Sequence, residues 1–320
     1  MGSSPRASTR PGIYRRWPPV ERQFKRYREI AAIHAEDVSA TLKHYAETGA
    51  KMQQNAPETD IPAWCALRST VLLRGTMIVQ QGQIHSFKES RIANDLGSGL
   101  RYAWFAILAD LFLHEGFPRR FPGRSLQMMS LGTVQWAALG FTLGCRSLAE
   151  PLILSLIDAL KRDFFFDRNH YPIFYFILRL FADWHGVELG RLPGAAFREA
   201  ILNALLERWR TPDPIDVAPS VLAACDFHTH RCRTNTAKEF FEFDDGLFTH
   251  FPVEILMLYR LRDYEGLKNP EIDHPLMKSS LGRLPSPMPC DVDELLGRFL
   301  ERARAQGFDE DAIVRSLLSQ

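Results

Sequence analysis

Apolar side chains recur along this chain at steps of three, four and seven, the spacing that gathers them on one face of an α-helix. Between Val20 and Met52, Phe24, Tyr27, Ile30 or Ala31, Val38, Leu42 and Tyr45 keep that spacing and predict one long amphipathic helix. Asp60 and then Pro62 have the form of a helix cap with a first-turn proline, so a second helix is expected over Trp64–Gln80. The β-branched run at Val71–Val79 leaves a strand as the alternative there. Further helices are expected over Glu89–Glu115, loosened by Gly97 and Gly99 and stopped at Gly116, and over Arg124–Leu143. Ser147 and Glu150 have capping-box spacing ahead of Leu148–Phe165. Tyr171-Pro172 opens a helix that ends at Gly186, with Phe174, Ile177, Leu178 and Phe181 expected in the centre of the fold. Pro193–Trp209, Asp216–Arg231 and Phe251–Tyr264 follow, and Asp291–Gln306 and Asp309–Leu318 close the chain behind Asp caps.

About eleven helices joined by short connectors predict an all-α fold, an irregular, helical-repeat-like bundle of stacked antiparallel hairpins. No fixed repeat period, βα alternation or Gly-rich phosphate loop is present, which argues against a regular solenoid and against Rossmann or P-loop enzymes. Residues 1–19 read as a basic, disordered leader and 20–320 as a single helical domain, with a possible sub-boundary near 116–123. Two stretches break the helical pattern: Arg231–Gly246 and the proline-rich Asn269–Cys290. Long irregular stretches inside compact domains are often functional.

Composition narrows the class without naming a reaction. The 320 residues are 46% hydrophobic and 24% charged with a net charge of +1, ordinary globular proportions. The charge is unevenly spread, since residues 1–28 carry eight basic side chains against Glu21 alone, which leaves the body mildly acidic. No apolar segment follows the leader arginines, and the stretch Leu131–Cys145 is shorter than the ~20 residues that cross a bilayer. Neither a secretory signal nor a membrane span is therefore expected. The aromatic crowd from Phe164 to Phe181 has few basic companions, so no nucleic-acid partner is expected. The five cysteines are odd in number and scattered, with Cys65 and Cys145 inside apolar helical pattern. They read as small core residues of a reducing, cytoplasmic protein.

Several side-chain groupings are candidates for chemistry. On a helix, Cys225, His228 and Cys232 share a face and together have the N/S donor character of a zinc site. Asp183 and His185, with Glu188, stand at a helix C-terminus where they are candidates for acid–base or metal roles. Asp110 with His114, and Glu271 with His274, are weaker groupings. No HExxH, GxSxG or Cys–His nucleophile signature occurs. The segment Lys238–Gly246 interleaves acids with phenylalanines, a pattern suited to a protein interface in which apolar anchors hold and carboxylates steer a basic partner. Glu239, Phe241, Glu242, Phe243, Asp244 and Asp245 are the expected contact residues.

The helical hairpins, the run Phe251-Pro252-Val253-Glu254-Ile255-Leu256, and the crossing Gly266-Leu267…Asp273-His274-Pro275-Leu276-Met277 resemble bacterial immunity proteins. These are antidotes to polymorphic or type VI-secreted toxins; the resemblance is to the all-helical family called immunity protein forty-nine, over about residues 60–305. It implies a cytoplasmic, non-enzymatic protein without a cofactor that neutralises a cognate toxin by stoichiometric binding. The chain's near-neutral charge departs from the strongly acidic antidotes to nucleases. A helical metal-dependent enzyme built on Cys225, His228 and Cys232, or a scaffold for another protein, are the alternatives.

Overall fold

The structure, a computed structural model, describes residues 17–51, 61–89, 92–120, 129–244 and 246–318. Among these residues the protein is all-α: thirteen α-helices, no strand, and one isolated bridge between Met129 and Phe165. Asp60, Asp245, residues 121–123 of the sub-boundary expected near 116–123 and all but the last three residues of the basic leader lie outside the described residues, while residues 116–120 continue α4.

The first helix, α1 (Val20–Thr48), stops where Gly49 turns left-handed (φ 72°) and donates its N–H to Tyr45 O. After the short α2 (Ala63–Ala66), α3 (Arg68–Glu89) takes up the whole Val71–Val79 run as helix and not as strand. It packs along α4 (Asp95–Arg120), and glycine decides how closely. A Cβ on Gly75 would lie 2.8 Å from Gly99 O, and one on Gly99 would lie 2.6 Å from the Val79 side chain. Gly99 therefore serves close helix–helix approach, where loosening was expected, and α4 runs through Gly116 to Arg120. The window Asp95–Phe117 of α4 is long and apolar enough to cross a membrane by length and composition, and 78% of it is buried inside the fold.

The next helix, α5 (Val134–Thr142), is buried along its whole length and is followed by α6 (Arg146–Lys161). The expected Ser147/Glu150 capping box is not made. Glu150 instead pairs with Arg146 at 2.7 Å and reaches His185 at 2.9 Å. α7 (Pro172–His185) has proline in its first turn and left-handed Gly186 (φ 80°) at its end. Phe174, Ile177, Leu178 and Phe181 are all buried, placing this helix in the core as its apolar pattern predicts. α8 (Ala200–Arg208) and α9 (Pro214–His230) form an antiparallel hairpin.

α10 (Val253–Tyr264) runs through the middle of the bundle, and everything from Val253 to Arg262 on it is buried, Glu254, Arg260 and Arg262 included. Its arginines reach carbonyl oxygens that their own helices leave open: Arg260 donates to Thr142 O at 3.1 Å, and Arg262 to Thr211 O at 3.0 Å and to Trp209 O. The proline-rich crossing carries only the short α11 (Pro275–Lys278) before α12 (Glu294–Ala305) and α13 (Glu310–Leu318). One connected cluster of buried side chains extends from Val38 to Ile313. The cysteine reading needs correction at one pair. Cys145 is buried but is joined by a disulfide to Cys290, closing the crossing onto the start of α6; Cys65, Cys225 and Cys232 are buried and outside any disulfide. A separation of 145 residues hid this pairing from any spacing rule.

Candidate functional site

The C-terminal end of α9 and the loop after it gather most of the chain's unusual polar chemistry. Asp213 caps α9 by accepting from Ile215 N at 2.8 Å, and Pro214 fits its first turn. Helical periodicity then turns Cys225 and His228 toward the core, and Cys232, just past the helix end, is buried beside them. His228 Nδ1 lies 2.7 Å from Oε1 of Glu254, which arrives from the first turn of α10. His228 Nε2 faces Thr249 O at 3.3 Å, and the Phe243 ring lies over the imidazole with centroids 4.0 Å apart. Burial alone would strip the proton from His228. The Glu254 carboxylate outweighs it and holds the imidazole pKa up at about 10. The result is an imidazolium–carboxylate pair sealed in the core at neutral pH. The Cys232 thiol donates to His228 O at 3.2 Å, and burial pushes its pKa up, so it remains a thiol.

The zinc reading of Cys225, His228 and Cys232 meets a geometric obstacle. Cys232 lies beyond the end of α9 at His230, so the three residues do not form the one-face helical set that the sequence suggests, and the polar contacts of His228 and Cys232 are already made within the fold. Among the described residues no three His, Cys, Asp or Glu side chains converge as a metal-holding group. The other groupings are also drawn apart. Asp183 accepts from Trp209 Nε1 at 2.7 Å and pairs with Arg210, while His185 goes to Glu150. Glu188 is in an irregular stretch after α7. Asp110 pairs with Arg68, and His114 Nδ1 meets the Asp110 backbone carbonyl at 2.7 Å. His274 caps α11 by accepting from Leu276 N at 3.1 Å and reaches Asp226 at 3.3 Å, so it is not joined to Glu271.

The acidic-aromatic loop turns inward where exposure was expected. Phe241 and Phe243 are 4% and 2% exposed, so neither is available as an interface anchor. Glu242 is buried and paired to Arg231 Nε at 2.5 Å; the same guanidinium meets Glu239 at 3.0 Å and stands 4.6 Å from the Phe241 ring centroid. Asp244 accepts from Asn235 N at 3.0 Å. The reason is a local one: Arg231, at the end of α9, supplies the charge that lets the loop fold its carboxylates under itself. Of the loop phenylalanines, Phe240 is the one left at the surface, 39% exposed and 4.3 Å from the His170 ring.

Side chains from α1 and α3 clamp the next turn. Tyr27 Oη and Gln23 Nε2 donate to Gly246 O at 2.7 and 2.9 Å, Gln83 Nε2 to Leu247 O at 2.7 Å, and Trp17 Nε1 to Thr249 O at 3.0 Å. Gly246 is required here, with φ 78° and a Cβ position only 2.3 Å from Gln23 Nε2. The clamped loop separates two concavities. One, of about 620 Å³, opens between α1 and the loop with Cys232, Phe243 and Thr249 at its floor. The other, of about 340 Å³, lies on the opposite flank between His170, Arg198, Lys238 and Phe240.

Sequence reasoning found α9 and the loop but missed Glu254, Arg231, and Gln23 and Tyr27 of α1 as their partners. The available signal was a run of charged residues, Glu254, Arg260 and Arg262, inside an otherwise apolar helix, which requires buried counter-groups. Comparison with known protein families, with curated proteins and with solved structures finds no match to this chain.

Proposed function

We propose that this chain is an immunity-type binding protein that neutralises a cognate bacterial toxin by stoichiometric contact and carries out no reaction of its own. The observation that supports this reading is the aromatic surface around the smaller concavity. Phe166, Phe197 and Phe240 are 59%, 52% and 39% exposed. Phe240 lines it, while Phe166 and Phe197 precede its lining residues His170 and Arg198 in the chain. Aromatic anchors ringed by charged side chains are the composition of interface hot spots. The contact centre proposed here is therefore Phe240, with Glu239 and Lys238 on its rim, in place of Phe241 and Phe243.

The test is to mix the purified chain with the product of a neighbouring toxin gene and measure the complex by interferometry. A one-to-one complex is expected, and Phe240→Ala should speed its dissociation about 30-fold, the effect of a hot spot worth ~2 kcal/mol. A folded Phe240→Ala variant with unaltered dissociation removes this face from the interface, and no complex at micromolar concentrations removes the reading. Cytoplasmic residence belongs to the same proposal. A reducing cytosol acts against disulfides, so the state of Cys145 and Cys290 in cells reads out the compartment directly.

A further inference from the structure

The larger concavity has a lining unlike that of the aromatic face. Arg22, Lys25, Arg26 and Glu29 fall on one stripe of α1 and form one wall; Arg233 and Asp244 stand on the other. The two carboxylates are already engaged, Glu29 with Lys25 at 3.8 Å and Asp244 with the Asn235 backbone N–H at 3.0 Å. Among the described residues Arg22 and Arg26 have no ion-pair partner. Arg233 contacts His230 at 3.0 Å through Nη2, while its Nε is buried with no hydrogen-bond partner. A buried guanidinium nitrogen without an acceptor is costly unless an acceptor arrives. Three guanidinium groups thus line one cavity, and none of them is matched by a carboxylate.

We infer that this cavity binds a phosphorylated small molecule, with Arg22, Arg26 and Arg233 holding a diphosphate-like group. Guanidinium forks match phosphate oxygens in pairs, and three of them compensate more than one negative charge. A volume of about 620 Å³ falls within the range of small-molecule sites. The hydrogen bonds from Gln23 and Tyr27 to Gly246 O fix the two walls relative to each other, so the cations are held at a set spacing. This site lies across the loop from Phe240 and does not depend on the toxin-binding reading.

The test is calorimetric titration of the full chain with inorganic pyrophosphate, and separately with citrate. Saturable one-to-one binding of pyrophosphate is expected, tighter than citrate and weakening as NaCl is raised. Arg26→Gln and Arg233→Gln should each weaken it about tenfold or more, as expected for loss of a charge-assisted hydrogen bond. Arg283→Gln, on the proline-rich crossing, should leave it unchanged. Because Arg26 is exposed on α1, its variant keeps the fold even if Arg233→Gln disturbs the loop. Absence of saturable heat, equal affinity in a folded Arg26→Gln protein, or citrate binding tighter than pyrophosphate would each overturn the assignment.

Discussion

Replacing Glu254 by Gln keeps the shape of the His228 site and removes its charge. Glu254 and His228 are 2% and 0% exposed, so water cannot compensate either one. In the folded protein the His228 pKa stands at about 10 against an ordinary 6.5. A histidine whose pKa is raised on folding stabilises the native state fully below the unfolded value. That stability is lost as pH climbs through the folded one. Each pH unit of the interval is worth ~1.4 kcal/mol, so the whole window from pH 6.5 to about 10 amounts to roughly 4–5 kcal/mol. Breaking a buried ion pair typically costs about 3–5 kcal/mol, which agrees. Urea unfolding followed by tryptophan fluorescence, at fixed ionic strength across that window, measures the effect. Other groups titrate there too, but they are common to both proteins, so the difference between the two curves isolates His228. Glu254→Gln should fall several kcal/mol short of the parent at pH 6.5, and the gap should close as pH approaches 10. Parallel curves would mean that His228 is neutral in the native protein, and the ion-pair reading would be wrong.

Phe174→Ala, in the buried face of α7, should destabilise by about 3–5 kcal/mol in the same assay, and a change within error would place this ring outside the core. Burial first, and then the nearby His228 charge, hold the His250 pKa down at about 4. The unfolded chain therefore takes up a proton that the folded one refuses, and stability should fall as pH drops from about 6.5 toward 4. His250→Gln should flatten that limb of the profile; an unchanged limb would assign it to other groups. Cys290→Ser should lower the melting temperature and abolish its sensitivity to reductant. Chain entropy for a closure spanning 145 residues sets an upper value of about 5 kcal/mol, and an unshifted melting temperature would show that the bond contributes nothing.

What could be read from the sequence divides along a physical line. The termini of α7, the capping Asp309, and the burial of Phe174 and Phe181 all depend on residues within a few positions of one another, whereas the caps of α9 and α12 fall at Asp213 and Asp293 and not at the expected Asp216 and Asp291. Local pattern carries that information. The errors at the core and the candidate site involve partners distant in the chain. Glu150 resembles half of a capping box until Arg146 and His185 claim it. Gly99 resembles a helix breaker until Gly75 and Val79 are seen against it. Cys145 resembles a core residue until the crossing delivers Cys290. The candidate site followed the same rule. The position of α9 and its loop was legible, but the identity of His228's partner and the burial of Phe241, Glu242 and Phe243 depended on α10 and Arg231.

Net charge was a poor guide to this region for a related reason. The chain is near neutral overall, and the loop after α9 reads as acidic in isolation. Folding partitions the charges unequally. Glu242 and Glu254 go inside with Arg231 and His228, and Asp244 is spent on a backbone amide. Arg22, Arg26 and Arg233 stay on the walls of one cavity, with Lys238 and Arg198 around the other. Exposed charge governs steering and anion capture, whereas buried pairs contribute almost no field at the surface. A ligand fitted to the cavity beside α1 should therefore carry negative charge, whereas the loop sequence taken alone points to a basic partner. The difference follows from where Glu242 and Glu254 are buried, at unchanged composition.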